Sequence, residues 1–385
     1  MTGLVVLGST GSIGQQALEV VRAHPEQFRV VGLAAGRNLD LLGRQVEEFR
    51  PLYVSAPALK EGSIWKESRV RSLVALCEMP EVDRVLVATV GATGLLPTLA
   101  AIRAGKVVAL ANKEVLVMAG ALVMREARAV NVPILPVDSE HNALWQCLMG
   151  DCDLSPGQTR GPIQRVILTA SGGAFRDWPL EKLREVTPAE ALAHPTWVMG
   201  PKVTIDAATL INKGFEVIEA HWLFGLPYEQ IDVVLHRESI VHALVEFTDG
   251  SFRAELGPPD MRIPIQHALT YPRRLPGPWR RLQLAELGKL NFAPLDRARY
   301  PCFDLALAAA RTEGTATAAL SAADDVAVQK FIRGEIAFTD IPALIDAALQ
   351  AHRPIADPSV EEILEVDAQV RRFLEGSRAA GTPRA

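Results

Sequence analysis

Cysteine is scarce in this sequence of 385 residues, which contains only four. No C-x-x-C pair is present among them, since they stand at Cys77, Cys147, Cys152 and Cys302. Four cysteines in so long a chain do not make a disulfide framework. We therefore expect a protein that folds without disulfides in a reducing compartment, and we predict a cytoplasmic location.

Long apolar runs are missing as well. No stretch approaches the roughly 20 apolar residues that cross a bilayer, so we expect no membrane partner. The N-terminal residues Met1–Leu7 carry no basic group ahead of their apolar part. This pattern is typical of a first strand rather than of a signal peptide.

The chain also lacks a surplus of positive charge. The chain has 40 Lys and Arg against 45 Asp and Glu, a net charge of −5. Binding to nucleic acid regardless of its sequence depends on an excess of basic residues, so nucleic acid is not an expected partner. A net charge of −5 is still compatible with a local basic pocket for a small phosphorylated ligand.

Apolar residues, by contrast, make up 49% of the chain, which is ample for a large buried core. At about 150 residues per domain, the length suggests two or three domains. In residues 1–137, short β-branched runs alternate with helical patterns, and this predicts an α/β fold with a Rossmann-like, doubly wound parallel sheet. The predicted strands are Leu4–Leu7, Arg29–Leu33, Arg84–Ala88, Lys106–Leu110 and Pro133–Val137, and the predicted helices are Gly14–Ala23, Leu39–Phe49, Leu95–Ala104 and Glu114–Val130.

The pattern changes after residue 137, and a central α+β domain is predicted over residues 138–271. The polar stretch Asp151–Pro162 is rich in Gly and Pro and predicts a surface loop. Thr204–Phe224 is predicted to be helical. The predicted strands are Gln164–Thr169, Ile231–Leu235, Ile240–Phe247 and Ser251–Leu256, with Asp249-Gly250 as the hairpin turn between the last two.

Residues 272–300 are a predicted linker, because five prolines between positions 272 and 301 interrupt regular structure. Four helical patterns follow within residues 301–376 and predict a small helical bundle. Ser359 and Glu362 have capping-box spacing at the start of the last one. Residues 377–385 are expected to be a flexible tail. The four patterns are Asp304–Arg311, Ala316–Ile332, Ile341–Ala351 and Val360–Glu375.

A glycine loop follows the first predicted strand directly. Gly8, Gly11 and Gly14 have the spacing G-x-x-G-x-x-G between that strand and a helix. Glycines let a backbone approach a pyrophosphate closely, and the helix N-terminus offers free N–H groups to the anion. We predict a dinucleotide site, and the alternative is a tight turn whose glycines serve packing only.

The end of the second predicted strand favours one cofactor over another. A site for NAD places a carboxylate there to hold the ribose hydroxyl, whereas this strand ends in Ala34-Ala35-Gly36-Arg37-Asn38. A guanidinium group suits a 2′-phosphate. We therefore predict NADP(H) rather than NAD(H), and the alternative is that Arg37 is an ordinary loop arginine.

Three carboxylates form a candidate cation site. Asp138 and Glu140 follow the last strand of the N-terminal sheet and are predicted to point to one side of an extended turn, while Glu216 shares a helix face with Asn212. Carboxylate oxygens suit Mg²⁺ or Mn²⁺ rather than a thiolate-type zinc site. A salt-bridged helix face is the alternative for Glu216, because Lys213 lies three residues before it.

Several longer motifs occur in order along the chain, and together they resemble the 1-deoxy-D-xylulose 5-phosphate reductoisomerase family over essentially its whole length. They are the glycine loop, Ala111-Asn112-Lys113-Glu114, Val137-Asp138-Ser139-Glu140-His141-Asn142-Ala143, Ala170-Ser171-Gly172-Gly173, His194-Pro195-Thr196-Trp197-Val198-Met199-Gly200, Asn212-Lys213-Gly214-Phe215-Glu216 and Gly257-Pro258-Pro259-Asp260-Met261-Arg262. The resemblance implies an enzyme that rearranges 1-deoxy-D-xylulose 5-phosphate and reduces the product with NADPH to 2-C-methyl-D-erythritol 4-phosphate. It also implies a homodimer formed through the central domain and inhibition by phosphonate hydroxamates of the fosmidomycin type.

The resemblance also implies roles for individual residues. A Mn²⁺, Mg²⁺ or Co²⁺ ion would be held by Asp138, Glu140 and Glu216, and the catalytic groups would be Lys113, Glu140 and His194. The substrate would be bound by Lys113, Ser139, Glu140, Ser171, His194, Trp197, Asn212, Lys213 and Glu216, with Trp197 on a mobile lid. The NADPH contacts would be Thr10, Gly11, Ser12, Ile13, Gly36, Arg37, Asn38, Asn112, Glu114 and Gly200.

The sequence departs from the family pattern at Ala207, where the family usually has a serine that binds the substrate phosphate. One hydroxyl donor is therefore missing, and we expect weaker phosphate binding without loss of activity. Ala174 also replaces a common proline after the Ser-Gly-Gly turn.

Two other functions remain open at this point. A different two-domain oxidoreductase would share the glycine loop but would not need three carboxylates and a Trp-bearing lid. A non-catalytic NADP-binding sensor would keep the glycine loop and lose the metal ligands.

Overall fold

The structure is a computed structural model that describes residues 1–197 and 199–376. Val198 of the predicted lid and the predicted tail at 377–385 lie outside the described residues. Within the described part of the chain, no helix combines the length and apolar character that crossing a membrane requires.

The N-terminal part is built on an eight-stranded sheet in the order β4-β5-β3-β2-β1-β6-β7-β8, and every neighbouring pair is parallel except β4 and β5. The chain moves away from β1 in both directions, so the sheet has a switch point between β1 and β6, where ligands bind in doubly wound folds. Its strands are β1 (Thr2–Leu7), β2 (Phe28–Ala34), β3 (Tyr53–Ser55), β4 (Ile64–Trp65), β5 (Ser68–Val70), β6 (Arg84–Val87), β7 (Val107–Leu110) and β8 (Ile134–Pro136). The helices of this part are α1 (Ser12–Ala23), α2 (Leu39–Phe49), α3 (Leu73–Glu78), α4 (Leu95–Arg103) and α5 (Glu114–Val130).

The α/β class and the doubly wound parallel sheet predicted from the sequence are confirmed, as are the five predicted strands and four predicted helices of this part. Apolar side chains fill the central strands, where Val5, Val6 and Val85 are fully buried. Strands β3 to β5 and helix α3 were not predicted. They have six residues or fewer, which is too short for a periodic pattern to stand out.

The central part contains a four-stranded mixed sheet in the order β12-β11-β13-β14. Strands β11 and β12 are parallel, and the other two pairs are antiparallel, which confirms the predicted α+β character. The strands of this part are β9 (Asp153–Ser155), β10 (Gln158–Arg160), β11 (Ile163–Ala170), β12 (Ile231–Leu235), β13 (Val241–Phe247) and β14 (Phe252–Leu256). Its helices are α6 (Ser139–Leu148), α7 (Pro188–Ala191), α8 (Pro201–Thr209), α9 (Ile211–Phe224) and α10 (Arg262–Thr270).

Two local predictions in this part are wrong, and a third is confirmed with one interruption. The predicted loop Asp151–Pro162 contains the β9–β10 hairpin, whose short polar strands lack apolar alternation. The predicted helical character of Thr204–Phe224 is confirmed except at Leu210, whose left-handed φ of 60° separates α8 from α9. The predicted extended turn at Asp138 and Glu140 is instead the start of α6.

The linker and the C-terminal bundle complete the chain. Ala293 of the linker pairs with Leu235 of β12, so the linker runs along one edge of the central sheet. The four predicted helices of the bundle are confirmed, and so is the capping box, in which Ser359 and Glu362 bond reciprocally at 2.8 and 3.2 Å. The helices are α11 (Leu284–Leu287) in the linker, and α12 (Pro301–Thr312), α13 (Ala316–Ile332), α14 (Ile341–Ala351) and α15 (Val360–Gly376).

Candidate functional site

A cavity opens where the carboxyl ends of strands β7 and β8 meet helices α8 and α9. Thirteen of the residues singled out from the sequence line it, although they come from six separate segments of the chain. They are Ser12, Ile13, Lys113, Asp138, Ser139, Glu140, Ser171, His194, Trp197, Gly200, Asn212, Lys213 and Glu216. The structure therefore brings most of the predicted site together.

The three candidate metal ligands meet at one wall of this cavity. Asp138 precedes the first residue of α6, Glu140 lies in the first turn of that helix, and Glu216 comes from the second turn of α9. One oxygen from each carboxylate lies within 4.8 Å of the others. Glu216 is 1% exposed, so its charge is shielded from bulk water.

Two lysines bridge these carboxylates. The Lys113 ammonium nitrogen lies 2.7 Å from Asp138 Oδ2 and 3.3 Å from Glu216 Oε1. The Lys213 ammonium group donates to Glu140 Oε1 at 3.0 Å and also to Glu216 Oε2. Three carboxyl groups therefore share two ammonium groups in a buried site.

The donor set of this wall fits a hard divalent cation. All three ligands are carboxylate oxygens, which Mg²⁺ and Mn²⁺ prefer. Burial and the neighbouring charge of Glu140 raise the pKa of Glu216 to about 7. Burial opposes ionisation at Asp138 too, but Lys113 and the other basic groups around it together outweigh burial and hold the pKa of that carboxyl well below its usual range. The excess of crowded carboxylates is the charge pattern that a cation relieves.

A tight turn after β11 forms the opposite end of the cavity. Gly172 and Gly173 have φ values of +83° and +70°, and a Cβ on Gly173 would lie 2.5 Å from the carbonyl oxygen of Ala207. Only glycine fits here, because other residues would be strained in φ and would clash with α8. Tyr300, from the start of the C-terminal bundle, donates to the Gly172 carbonyl at 2.9 Å.

Side-chain contacts fix the orientation of the Ser171 hydroxyl. His194 Nδ1 accepts hydrogen bonds from the backbone N–H groups of Thr196 and Trp197, at 3.1 and 2.9 Å. The proton of the neutral ring is therefore on Nε2, which donates to Ser171 Oγ at 3.0 Å. Burial and the charge of Arg176 lower the pKa of His194 to about 4, which keeps this ring neutral near pH 7. Ser171 Oγ also accepts from the Gly173 N–H at 3.2 Å, so its own hydrogen is free to donate into the cavity.

The predicted lid covers the cavity beside α8. Trp197 faces His242 with a ring-centroid distance of 6.0 Å. Met199 and Gly200 line the same space. An indole in this position excludes water from whatever binds beneath it.

The glycine loop has the geometry of a pyrophosphate cradle. Gly8 has φ +87°, and a Cβ on it would lie 2.3 Å from the carbonyl oxygen of Ala88. A Cβ on Gly14 would lie 2.2 Å from the Gly8 carbonyl oxygen. Among the described residues, no side chain caps the N-terminus of α1, so its N–H groups can reach an anion. These observations fit a dinucleotide.

The remaining predicted cofactor residues lie outside the cavity lining. Gly36 and Arg37 are exposed after β2, and Asn38 caps α2 by accepting from the Leu41 N–H at 3.0 Å. The buried amide of Asn112 donates to the Gly91 carbonyl at 3.0 Å. Glu114 Oε1 lies 3.8 Å from Lys202 Nζ. Thr10 and Gly11 belong to the exposed side of the glycine loop.

Several residues in or next to the cavity were not identified from the sequence. Thr169, Ser239 and His242 line the cavity, and Tyr300 supports the Ser-Gly-Gly turn from another part of the chain. No motif marks these residues, because their neighbours in sequence lie in ordinary strand, loop and helix patterns. Only the packing of distant segments brings them to the site.

Family models match three segments that together cover most of the chain. Residues 4–120 match "1-deoxy-D-xylulose 5-phosphate reductoisomerase", residues 134–224 match its "C-terminal domain" model, and residues 256–373 match "DXP reductoisomerase C-terminal domain".

Curated relatives are similar over nearly their full length. A 1-deoxy-D-xylulose 5-phosphate reductoisomerase of Synechococcus sp. (strain JA-2-3B'a(2-13)) is 50% identical over 384 residues, which is 97% of this chain and 96% of the relative. The protein of the same description from Pelotomaculum thermopropionicum is also 50% identical and covers 97% of each chain.

Solved structures are similar in fold. A DOX-P reductoisomerase in complex with NADPH, fosmidomycin and magnesium superposes with a TM-score of 0.90 at 38% identity, over 97% of this chain and 98% of that one. The Zymomonas mobilis enzyme in complex with NADPH has a TM-score of 0.88 at 34% identity, over 99% and 100% of the two chains.

Proposed function

Because the chain belongs to the 1-deoxy-D-xylulose 5-phosphate reductoisomerase family, we propose that the cavity between β7, β8, α8 and α9 is its active site. The protein is an NADP-dependent oxidoreductase that rearranges and reduces 1-deoxy-D-xylulose 5-phosphate to 2-C-methyl-D-erythritol 4-phosphate with NADPH and a divalent metal, in isoprenoid precursor biosynthesis. The observation that carries the location is the meeting of Asp138, Glu140 and Glu216 at the strand ends.

These three carboxylates would hold the divalent cation, which we take to be Mn²⁺, Mg²⁺ or Co²⁺. When bound, the cation supplies Lewis-acid polarisation of the substrate oxygens and a template for their orientation. Magnesium in the solved relative supports this assignment. The carboxylate oxygens within 4.8 Å of one another are the support from this chain itself.

Lys113 is proposed to act on the substrate beside this cation. Its ammonium group lies at the boundary between the carboxylates and the open cavity, and it stabilises negative charge that develops on a substrate oxygen. Burial opposes the charged form, but the carboxylates of Asp138 and Glu216 raise the pKa of Lys113 well above its ordinary value. The lysine therefore stays charged. Glu140 is proposed to serve both the cation and the substrate, and the neighbouring Ser139 hydroxyl donates to it at 2.7 Å.

The substrate phosphate is proposed to bind between the Ser171 turn and the start of α9. The neutral His194 ring donates to the Ser171 hydroxyl oxygen and fixes its orientation. The hydrogen of that hydroxyl is left free to donate to a phosphate in the cavity. Asn212 and Lys213 bond to the carboxylates here. A cation at the carboxylates takes over their charge neutralisation and leaves the Lys213 ammonium group available to the phosphate.

NADPH is proposed to lie across the switch point of the eight-stranded sheet. Its pyrophosphate would meet the N-terminus of α1, and its 2′-phosphate would pair with the exposed Arg37 guanidinium group. The other proposed contacts are Thr10, Gly11, Ser12, Ile13, Gly36, Asn38, Asn112, Glu114 and Gly200. Trp197 would cover the substrate and keep water from the hydride that is transferred.

The domain assignment follows from this placement. We assign residues 1–137 to NADPH binding, 138–271 to catalysis and dimer contact, 272–300 to a linker and 301–376 to a helical domain. The free cysteines support a reducing, cytoplasmic location.

A homodimer through the edge of the central sheet is part of the proposal. Strand β14 is an edge strand, and Phe252 on it is 53% exposed. The opposite edge is covered at Leu235 by Ala293 of the linker. An unprotected edge with exposed apolar side chains is a pairing surface. Light scattering should give the mass of two chains, and Phe252→Lys should give that of one.

The decisive experiment follows NADPH oxidation by absorbance with 1-deoxy-D-xylulose 5-phosphate and Mn²⁺. Oxidation should stop with excess chelator and return when Mn²⁺ is restored. Glu216→Gln should abolish it, whereas the exposed Glu229→Gln should leave it unchanged. A folded protein that binds NADPH but oxidises none with this substrate would overturn the assignment and favour a sensor.

A further inference from the structure

Glu219 is a buried carboxylate that the proposed chemistry does not use. It lies one helical turn after Glu216 on α9 and is 1% exposed. Within the described part of the chain, neither of its carboxylate oxygens has a hydrogen-bond partner. An isolated buried carboxyl group is costly, so a residue of this type needs a compensating contact.

The nearest such contact is His141, which is fully buried on α6. His141 Nδ1 lies 3.4 Å from Glu219 Oε2. Among the described residues, His141 Nδ1 also has no hydrogen-bond partner, and it lies closer to Glu219 Oε2 than to Asp138 Oδ2. Two buried polar groups that lack other partners therefore face each other along the Nδ1 edge of the ring.

The His141 ring also contacts two of the residues proposed as metal ligands. Its Nε2 lies 2.7 Å from the backbone carbonyl oxygen of Glu216, and because a carbonyl only accepts, Nε2 is the donor. Nδ1 is also 3.8 Å from Asp138 Oδ2. The ring therefore joins the turn of α6 that carries Asp138 and Glu140 to the turn of α9 that carries Glu216.

We propose that Glu219 is a positioning residue that, through His141, holds the two helix turns at the separation one divalent cation requires. This inference rests on the proposed function. Carboxylates that orient a histidine near a metal are a general feature of metal sites, and their loss weakens metal binding. Here the histidine orients ligand-bearing turns, and the carboxylate orients the histidine.

Direct Mn²⁺ binding tests the proposal without turnover. The free Mn²⁺ signal in electron paramagnetic resonance gives the dissociation constant and the number of ions per chain. The wild type should bind one. Glu219→Leu, which has a similar volume but no polar atom, should raise the dissociation constant about 10- to 100-fold. Glu219→Gln should stay within about threefold of the wild type, because its amide N–H can donate to His141 Nδ1.

Further measurements separate this role from a merely structural one. NADPH affinity should be unchanged in every variant, and Glu229→Gln should match the wild type throughout. If Glu219→Leu does not fold, His141→Asn should weaken Mn²⁺ binding to a similar extent, because the shorter side chain cannot reach both partners. A lowered unfolding temperature with unchanged Mn²⁺ affinity would show that Glu219 serves packing alone.

One alternative has its own outcome in the same titration. An oxygen of Asp138, a nitrogen of His141 and an oxygen of Glu219 also lie within 4.8 Å of one another. Two Mn²⁺ ions per wild-type chain, reduced to one in Glu219→Leu, would make Glu219 a ligand and overturn the positioning role. Failure of the proposed function itself would give a different result: the wild type would bind one Mn²⁺ but would not oxidise NADPH with the substrate.

Discussion

The hydroxyl group of Tyr300 donates a hydrogen bond to the backbone carbonyl of Gly172 at 2.9 Å, although 128 residues separate the two. Tyr300 is 2% exposed and stands just before the first helix of the C-terminal bundle. The end of the linker, where it enters the bundle, therefore supports the turn that is proposed to bind the substrate phosphate. Tyr300 itself does not line the cavity, so its effect on a bound substrate would be transmitted through this turn.

Tyr300→Phe should weaken substrate binding more than it slows turnover. The variant keeps the ring but leaves the Gly172 carbonyl without this partner, at a cost of about 1 to 3 kcal/mol. Steady-state kinetics should show a raised KM for the substrate with little change in kcat or in KM for NADPH. An equal fall in kcat at unchanged KM would contradict the assigned role of the turn.

Ala207→Ser should strengthen substrate binding. Ala207 lines the cavity beside the Ser171 turn, and a serine there would add one hydroxyl donor toward the phosphate. A hydrogen bond to a charged group contributes about 1.5 to 3 kcal/mol, so the substrate KM should fall about tenfold or more. Ala208→Ser on the next position of α8 is the matched control, because Ala208 is buried outside the lining. An unchanged KM in Ala207→Ser would place the phosphate elsewhere.

Arg37→Ala should lower the preference for NADPH over NADH. The loss of a guanidinium contact to the 2′-phosphate should raise the NADPH KM by about 10- to 100-fold. The KM for NADH should stay nearly the same, because NADH lacks that phosphate. Arg44→Ala, on the following helix, is the control. Equal effects on both cofactors would mean that Arg37 does not contact the 2′-phosphate.

Asp324→Asn should stabilise the fold, increasingly so as pH rises. Asp324 on α13 and Asp206 on α8 are both buried, and each lies 2.6 Å from the ammonium nitrogen of Lys202. Burial raises the pKa of Asp324 to about 6, so the folded state binds its proton more tightly than the unfolded state does. Stability from this proton is present at low pH and is lost as pH rises through about 6.

The asparagine variant has no such loss. The difference in free energy of unfolding between the variant and the wild type should therefore grow between pH 5 and pH 8, toward about 1 to 3 kcal/mol in favour of the variant. Thermal unfolding of both proteins at the two pH values measures the difference. Asp346→Asn, on the surface side of α14, should show no such trend. A variant that is destabilised equally at both pH values would refute the raised pKa as the cause.

Local sequence patterns predicted much of the fold. Helix α2 begins at Leu39 and ends at Phe49 as predicted, and the capping box of Ser359 and Glu362 forms as its spacing indicates. These features depend on residues a few positions apart, whose side chains and backbone meet as soon as the local structure forms. The same holds for Gly8 and Gly14, whose roles depend on one strand-to-helix turn.

The sequence predicted those residues of the candidate site that belong to recognisable motifs, and it did not predict the others. Asp138, Glu140 and Glu216 were named from residue type and motif, and the structure brings them together. The break at Leu210 was missed, because a left-handed leucine has no signature in helical periodicity. The supporting contacts of Glu219 and His141 were also missed, because nothing in either segment identifies the other as its partner.

Local sequence patterns are enough to predict most of the strands and helices, the glycine loop and the chemical types of the site residues. The tertiary structure decided the direction in which Lys113 and Lys213 bridge the carboxylates, the tautomer of His194 and the support of Gly172 by Tyr300. The two kinds of interaction differ in how far along the chain they act. Periodicity and turn chemistry act between neighbours in the chain, whereas charge neutralisation and burial act between whatever groups the packed core brings into contact.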